Sequence, residues 1–158
     1  SWPEFRDSQR RLSAKLPETW LTVTSDLGDS LDVHYRNKQP VGERLALQAL
    51  HHVYDYHLVS EGPTCIKARA VDNLVYLYFE NAHGLQAKEG AVQGFEVAGD
   101  DGVYYAAKAE IEGESVIVSS DKVPNPRAVR YGWQPFTRAN LINSASLPCS
   151  TFKKKIAL

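Results

Sequence analysis

The stretch Asp26-Leu27-Gly28-Asp29-Ser30-Leu31-Asp32-Val33-His34, continued by Tyr35-Arg36-Asn37-Lys38-Gln39-Pro40-Val41-Gly42, decides how the rest of the chain is read. An apolar run, Trp20-Leu21-Thr22-Val23-Thr24, leads into it, and a helical pattern leads out. The run is β-branched and apolar without strict alternation, as in a strand buried on both faces of an α/β sheet. Ligands of such sheets bind beyond the carboxyl ends of the strands, where a loop carries polar groups without breaking a ladder. The carboxylates Asp26, Asp29 and Asp32 and the imidazole of His34 occupy that position.

Toward the N-terminus, Ser1-Trp2-Pro3-Glu4 has the form of a helix start, with a capping serine, a proline in the first turn and a glutamate three residues on. The helix is expected to reach about residue 15 and to end at Pro17. Its apolar stripe is thin (Trp2, Phe5, Leu12, Leu16), and Arg6, Arg10 and Arg11 are expected to face solvent. Beyond the central stretch, residues 40–58 read as a second helix, with Val41, Leu45, Ala49 and Val53 at four-residue steps and a further line through Leu47 and Leu50. One strand between two helices cannot close a core. Residues 1–58 therefore read as the last strand and flanking helices of a larger α/β domain.

After Glu61-Gly62-Pro63 the pattern changes to short β-rich segments at 65–70, 74–79, 93–98, 103–109, 115–119 and 128–133. Asp72-Asn73, Gly99-Asp100-Asp101-Gly102 and Glu112-Gly113-Glu114 stand where hairpin turns belong. This spacing predicts an antiparallel β-sandwich or jelly roll over residues 59–158, joined to 1–58 without a low-complexity linker.

With 18 basic and 19 acidic side chains the formal charge is -1, which argues against nucleic acid or an anionic membrane as partner. No apolar run approaches the roughly 20 residues that span a bilayer, and residues 1–9 are too polar for a signal peptide. Cys65 and Cys149 lie in no CxxC spacing, which disfavours zinc and leaves a disulfide or two thiols. His51-His52 with Asp55 offers two metal-type ligands without a third, so a structural role is expected. His83 is assigned to a turn and Lys153-Lys154-Lys155 to a solvated tail. Tyr104, Tyr105, Trp133 and Phe136 could form a sugar-stacking platform, although aromatics in strands more often pack in cores or as cross-strand pairs. Residues 133–140 form an irregular polar and aromatic segment that could reach toward His34.

A histidine at the end of an α/β strand can act as general base when a carboxylate fixes its tautomer. Asp32 is two residues before His34, Asp29 five and Asp26 eight, and spacing alone does not choose among them. Gly28-Asp29-Ser30-Leu31 spells the nucleophile block of GDSL hydrolases. In that family an Asp-x-x-His block follows near the domain's end, whereas here only Asp55-Tyr56-His57 comes later, with the wrong spacing. Ser30 is therefore not taken as the nucleophile.

Taken whole, the run resembles the end of the catalytic domain in the sialate O-acetylesterase family of SGNH-type hydrolases. That family tends to show Asp-x-Gly-Asp, a spacer, an aliphatic residue, His-Pro-x-Asn-Lys, then Val-Gly, Arg-Leu-Ala and a helix. Asp26, Gly28, Asp29, Val33, His34, Asn37, Lys38, Val41, Gly42, Arg44, Leu45 and Ala46 match it. The resemblance continues through Trp2-Pro3-Glu4-Phe5-Arg6, Gln9-Arg10, Gly94-Phe95-Glu96-Val97-Ala98-Gly99, Val129-Arg130-Tyr131-Gly132-Trp133 and Leu147-Pro148. Tyr35 stands where the family has proline, and Leu31 stands three before His34, where the wider superfamily has its triad aspartate.

The resemblance implies a flavodoxin-like SGNH piece over 1–58 and a C-terminal β-sandwich over 59–158. It also implies a serine-type carbohydrate esterase acting on O-acetylated sialic acid or another acetylated sugar, with no cofactor or metal, in a secreted, periplasmic or lysosomal-like compartment. His34 is then the catalytic base, with Asp32 and Asp29 ranked together as its acidic partner and Asp26 third; a dyad assisted by a backbone carbonyl is the remaining arrangement. The serine would come from a missing N-terminal part of the same enzyme, leaving this chain inactive alone. An acetylxylan-type esterase is the nearest alternative. The competing class is a non-catalytic carbohydrate-binding or scaffolding sandwich.

Overall fold

Alternation of apolar and polar side chains builds the second part of the molecule. The computed structural model describes residues 1–32 and 34–156. In β1 (Thr64–Val71) and β2 (Leu74–Glu80), Cys65, Ala68, Val75, Leu77 and Phe79 point inward while Tyr76 and Tyr78 point outward. After the two-residue β3 (Gln86–Ala87) come β4 (Phe95–Ala98), β5 (Tyr104–Ala106), β6 (Lys108–Glu112), β7 (Ser115–Ser119) and β8 (Ala128–Tyr131). The two-residue β9 (Leu141–Ile142) and then β10 (Phe152–Lys155) complete the series.

These strands form two four-stranded antiparallel sheets, β1-β2-β7-β6 and β10-β8-β4-β5, with β3 and β9 as a small third ladder. Register aligns the apolar rows: Leu77 opposite Val116, Val97 opposite Val129, and Tyr131 between Phe95 and Phe152. Residues from both sheets make one core. The expected sandwich is thus present, and the hairpins turn at Asp72 (φ 54) and Gly113 (φ 60), as their residue types require.

Three expectations within the sandwich need correction. The segment at 103–109 is two strands, not one: at Ala107, whose N–H donates to Phe95 O, the chain leaves one sheet for the other. Lys153-Lys154-Lys155 is no free tail. It belongs to β10, which pairs with β8, and lysines on such an edge strand deter further pairing. For Tyr104 and Tyr105 the platform gives way to the commoner role of strand aromatics: the Arg130 guanidinium sits 3.9 Å from the Tyr104 ring centroid, while Tyr105 packs on the core.

Cys65 and Cys149 are buried, free thiols. Burial pushes the Cys65 thiol up to about 12 and the Cys149 thiol well above 9.0. The native protein is therefore expected to resist alkylation at pH 8 and to take label at both positions once denatured, as read by intact mass. Unfolded thiols ionise near 9.0 and the folded Cys65 thiol only near 12. The unfolded state thus binds fewer protons in that window, and stability declines as pH rises through it.

The first part has a different character. The core side chains begin at Cys65; before it, among the described residues, only Pro3, Asp7, Gln48, Ser60 and Pro63 are buried. Helix α1 (Trp2–Ser13) starts as expected, with Ser1 donating to Glu4 Oε2, but its orientation reverses the expectation. Trp2, Phe5, Leu12 and Leu16 are exposed, whereas Arg6, Asp7 and Arg10 meet the sandwich side near β10. Asp7 takes Arg10 at 2.7 Å and Arg11 at 3.0 Å, so the buried carboxylate is fully paired.

Helix α2 (Gln39–His52) ends six residues before the expected 58. Asp55, at φ 57, turns the chain, and the Tyr56 N–H returns to Leu50 O. The strand expected at 20–24 is not formed. A strand exists only by pairing, and no described strand pairs with it. Side chains of α2 take its carbonyls instead: Gln48 donates to Leu21 O and Arg44 to Val23 O. The α/β character expected of residues 1–58 is therefore reduced, among the described residues, to two helices on a β-sandwich. No described helix is long and apolar enough to cross a membrane.

Candidate active-site cleft

The Asp-rich loop is held by its own side chains. The Leu31 N–H donates to Asp29 Oδ1 at 2.8 Å and the His34 N–H to Asp32 Oδ1 at 2.7 Å, two Asx turns that fold the loop back on itself. Val33 lies outside the described residues. Asp26 is committed elsewhere: its two oxygens take both terminal nitrogens of Arg44, at 2.6 and 2.7 Å, which ties the loop to α2. Asp29 and Asp32 each keep one oxygen without a partner among the described residues. The His34 side chain is exposed, and none of the three carboxylates hydrogen-bonds its ring. The geometry thus commits both oxygens of Asp26 to Arg44 and leaves one oxygen free on each of Asp29 and Asp32 among the described residues.

A cleft of about 540 Å³ opens beside this loop. Its lining includes Asp29, Ser30, Asp32 and Tyr35 of the loop, residues 21–25 of the segment before it, Pro135 and Phe136, and Trp2 and Arg6 of α1. His34 is not among the residues that line the cleft, although Asp32 and Tyr35, close to it in the chain, are. The segment 133–140, expected to reach toward His34, does reach the Asp-rich loop: a Cβ on Gly28 would stand 4.0 Å from the Phe136 ring. Ser30 faces the cleft with no hydrogen bond from its hydroxyl among the described residues.

Arg6, read from the sequence as a solvent-facing residue, shapes this cleft. Its Nη2 donates to Gly132 O at 2.9 Å and Gln134 O at 2.6 Å, its Nη1 to Pro135 O at 3.2 Å and its Nε to Thr151 Oγ1 at 2.9 Å. Burial without a carboxylate partner lowers its pKa. Nothing local marks this role, because its acceptors lie more than 120 residues away. Arg44 was part of the matched pattern, but its ion pair with Asp26 is likewise long-range.

The other sequence candidates lie apart from the cleft. His51 Nδ1 is 3.0 Å from Tyr56 O, and His52 stacks on Trp20 at 4.3 Å while standing 3.8 Å from Glu61. His83 is in a turn, 3.6 Å from Glu114.

A crystal structure of XAC1771, a carbohydrate acetylesterase from Xanthomonas citri, superposes on this chain with a TM-score of 0.92 at 43% identity. The chain is similar to a carbohydrate acetylesterase. The match covers 97% of this chain and 36% of that one, so the chain spans about a third of the esterase's length. No family model and no curated protein matches. The similarity includes both the helical part and the sandwich, since a 97% match leaves room to omit neither.

Proposed function

We propose that this chain is part of a serine-type carbohydrate esterase that removes O-acetyl groups from sugars, with His34 as general base. The 43% identity to a carbohydrate acetylesterase over 97% of the chain carries this reading. The nucleophilic serine would come from outside these 158 residues. Residues 1–58 would complete the catalytic domain and 59–158 form the sandwich beside it. The bare apolar stripe of α1, the exposed Leu45 and Val53 and the unpaired segment at 20–24 support that arrangement, because each offers what a neighbouring sheet and its helices would cover.

In this mechanism the serine attacks the acetyl carbonyl, the ring of His34 takes the serine proton and returns it to the departing sugar hydroxyl, and Asp29 or Asp32 orients the ring. Acetate then leaves after a water attacks the acyl-enzyme with the same base. O-acetylated sialic acid is the substrate that the sequence resemblance implies. Acetylated xylan is a second reading, favoured by the charges of the cleft. With Asp26 neutralised by Arg44, Asp29 and Asp32 face a single cation, Arg6, and an anionic sugar meets net repulsion. The test is acetate release by the full-length protein from O-acetylated sialic acid and from acetylated xylan. Absence of turnover on both sinks the esterase reading; a compartment outside the cytosol is checked by fractionation.

A further inference from the structure

The segment that carries Phe136, which stands beside Gly28 of the Asp-rich loop, has no role in the acyl chemistry just described. One guanidinium takes three carbonyls, of Gly132, Gln134 and Pro135, and so fixes the backbone that presents Phe136 to the cleft. Phe136 is 43% exposed, a cost in water that a ligand's apolar face would relieve. In the same cleft Asp29 and Asp32 each keep one acceptor oxygen, and Tyr35 adds a further ring. A pyranose has this dual chemistry: C–H groups on one face and hydroxyl donors at its edge.

We propose that the cleft is a pyranose-binding subsite in which Phe136 stacks on the sugar ring, whichever of Asp29 and Asp32 does not orient His34 accepts its hydroxyls, and Arg6 positions the stacking loop. The identity of the ligand as a sugar rests on the esterase reading; the geometry of the subsite does not. Arg6 is a positioning residue, since its donors are directed at backbone and at Thr151 rather than into the cleft.

The test uses the full-length protein and two readouts. The first is calorimetric binding of unacetylated xylo-oligosaccharide and of a sialoside, which needs no chemistry. The second is kcat/KM for an acetylated glycan relative to p-nitrophenyl acetate. Phe136→Ala is expected to weaken oligosaccharide binding and to lower that ratio, each about five- to tenfold. Phe136→Tyr, which keeps the ring face, is expected to restore both. Arg6→Lys retains the charge but not the three-carbonyl grip, and its effect is expected in KM rather than kcat. Tyr78→Ala, an exposed ring on β2 outside the cleft, serves as the control for nonspecific loss. Sugar binding that weakens in Phe136→Ala without any acetate release supports the subsite and removes the esterase. Acetate release with binding and ratio unaltered in Phe136→Ala overturns the subsite and leaves the esterase standing. A failure of both sugars to bind the wild type overturns the subsite.

Discussion

His34→Ala is expected to lower kcat for acetate release by about a thousandfold or more, with a much smaller change in KM. A serine hydroxyl is a weak nucleophile near neutral pH, and an imidazole that takes its proton removes most of that handicap. The ring of His34 is exposed at the end of a loop fixed by two Asx turns, so its removal leaves no cavity and breaks no described hydrogen bond of the side chain. The substitution should therefore act on chemistry and not on folding, which near-UV circular dichroism and thermal melting check directly. Turnover within tenfold of wild type would remove His34 from the mechanism. Parallel substitutions Asp29→Asn and Asp32→Asn identify the orienting carboxylate by which of them causes the larger fall in kcat. Asp26→Asn should instead loosen the tie to Arg44 and appear in stability.

Gly62→Ala is expected to destabilise the protein by about 3 kcal/mol. That corresponds to a fall in Tm of about 6–12 °C for a chain of this size. A Cβ at Gly62 would stand 2.0 Å from Pro148 O and 2.7 Å from Pro148 C, both backbone atoms that no rotamer change can move. Relief requires shifting one of two chains at the point where the first part of the molecule joins the sandwich. Nearby, Asn143 donates to Glu61 O and Asn81 O while its oxygen accepts the N–H groups of Ala145 and Leu147, so the region has little slack. Gly42→Ala provides the opposite case. It lies in α2 with nothing within 4 Å of the added atom, and is expected to stabilise by about 0.5–1 kcal/mol through helix propensity alone. Melting curves of the two variants should move in opposite directions, and a Gly62→Ala midpoint within a degree of wild type would refute the close approach.

The same residues, Glu61-Gly62-Pro63, are legible in the sequence as the place where the pattern changes, but not as a contact. Composition marks a boundary because turn residues interrupt periodicity; it carries no trace of Pro148, which lies 86 residues further on. The face of α1 that packs is a comparable case. A helical stripe of Trp2, Phe5, Leu12 and Leu16 reads as the buried side, and the structure leaves it bare while docking through Arg6 and Asp7. Periodicity identifies an apolar face without saying what covers it.

What the sequence determined by itself is local. Alternation placed β1, β2, β4, β7 and β8, the positive-φ residues Asp72 and Gly113 fixed two hairpins, and Asp29, Asp32 and His34 were recognisable as a polar loop. Tertiary structure alone decided the rest: that residues 20–24 find no strand to pair with, that Lys153-Lys154-Lys155 becomes an edge strand, that Asp26 belongs to Arg44, and that Arg6 holds the wall carrying Phe136. The physical reason is reach. Side-chain period and turn chemistry act over a few residues and are written where they act, whereas a guanidinium meeting carbonyls 126 to 129 positions away is encoded only by the fold that brings them together.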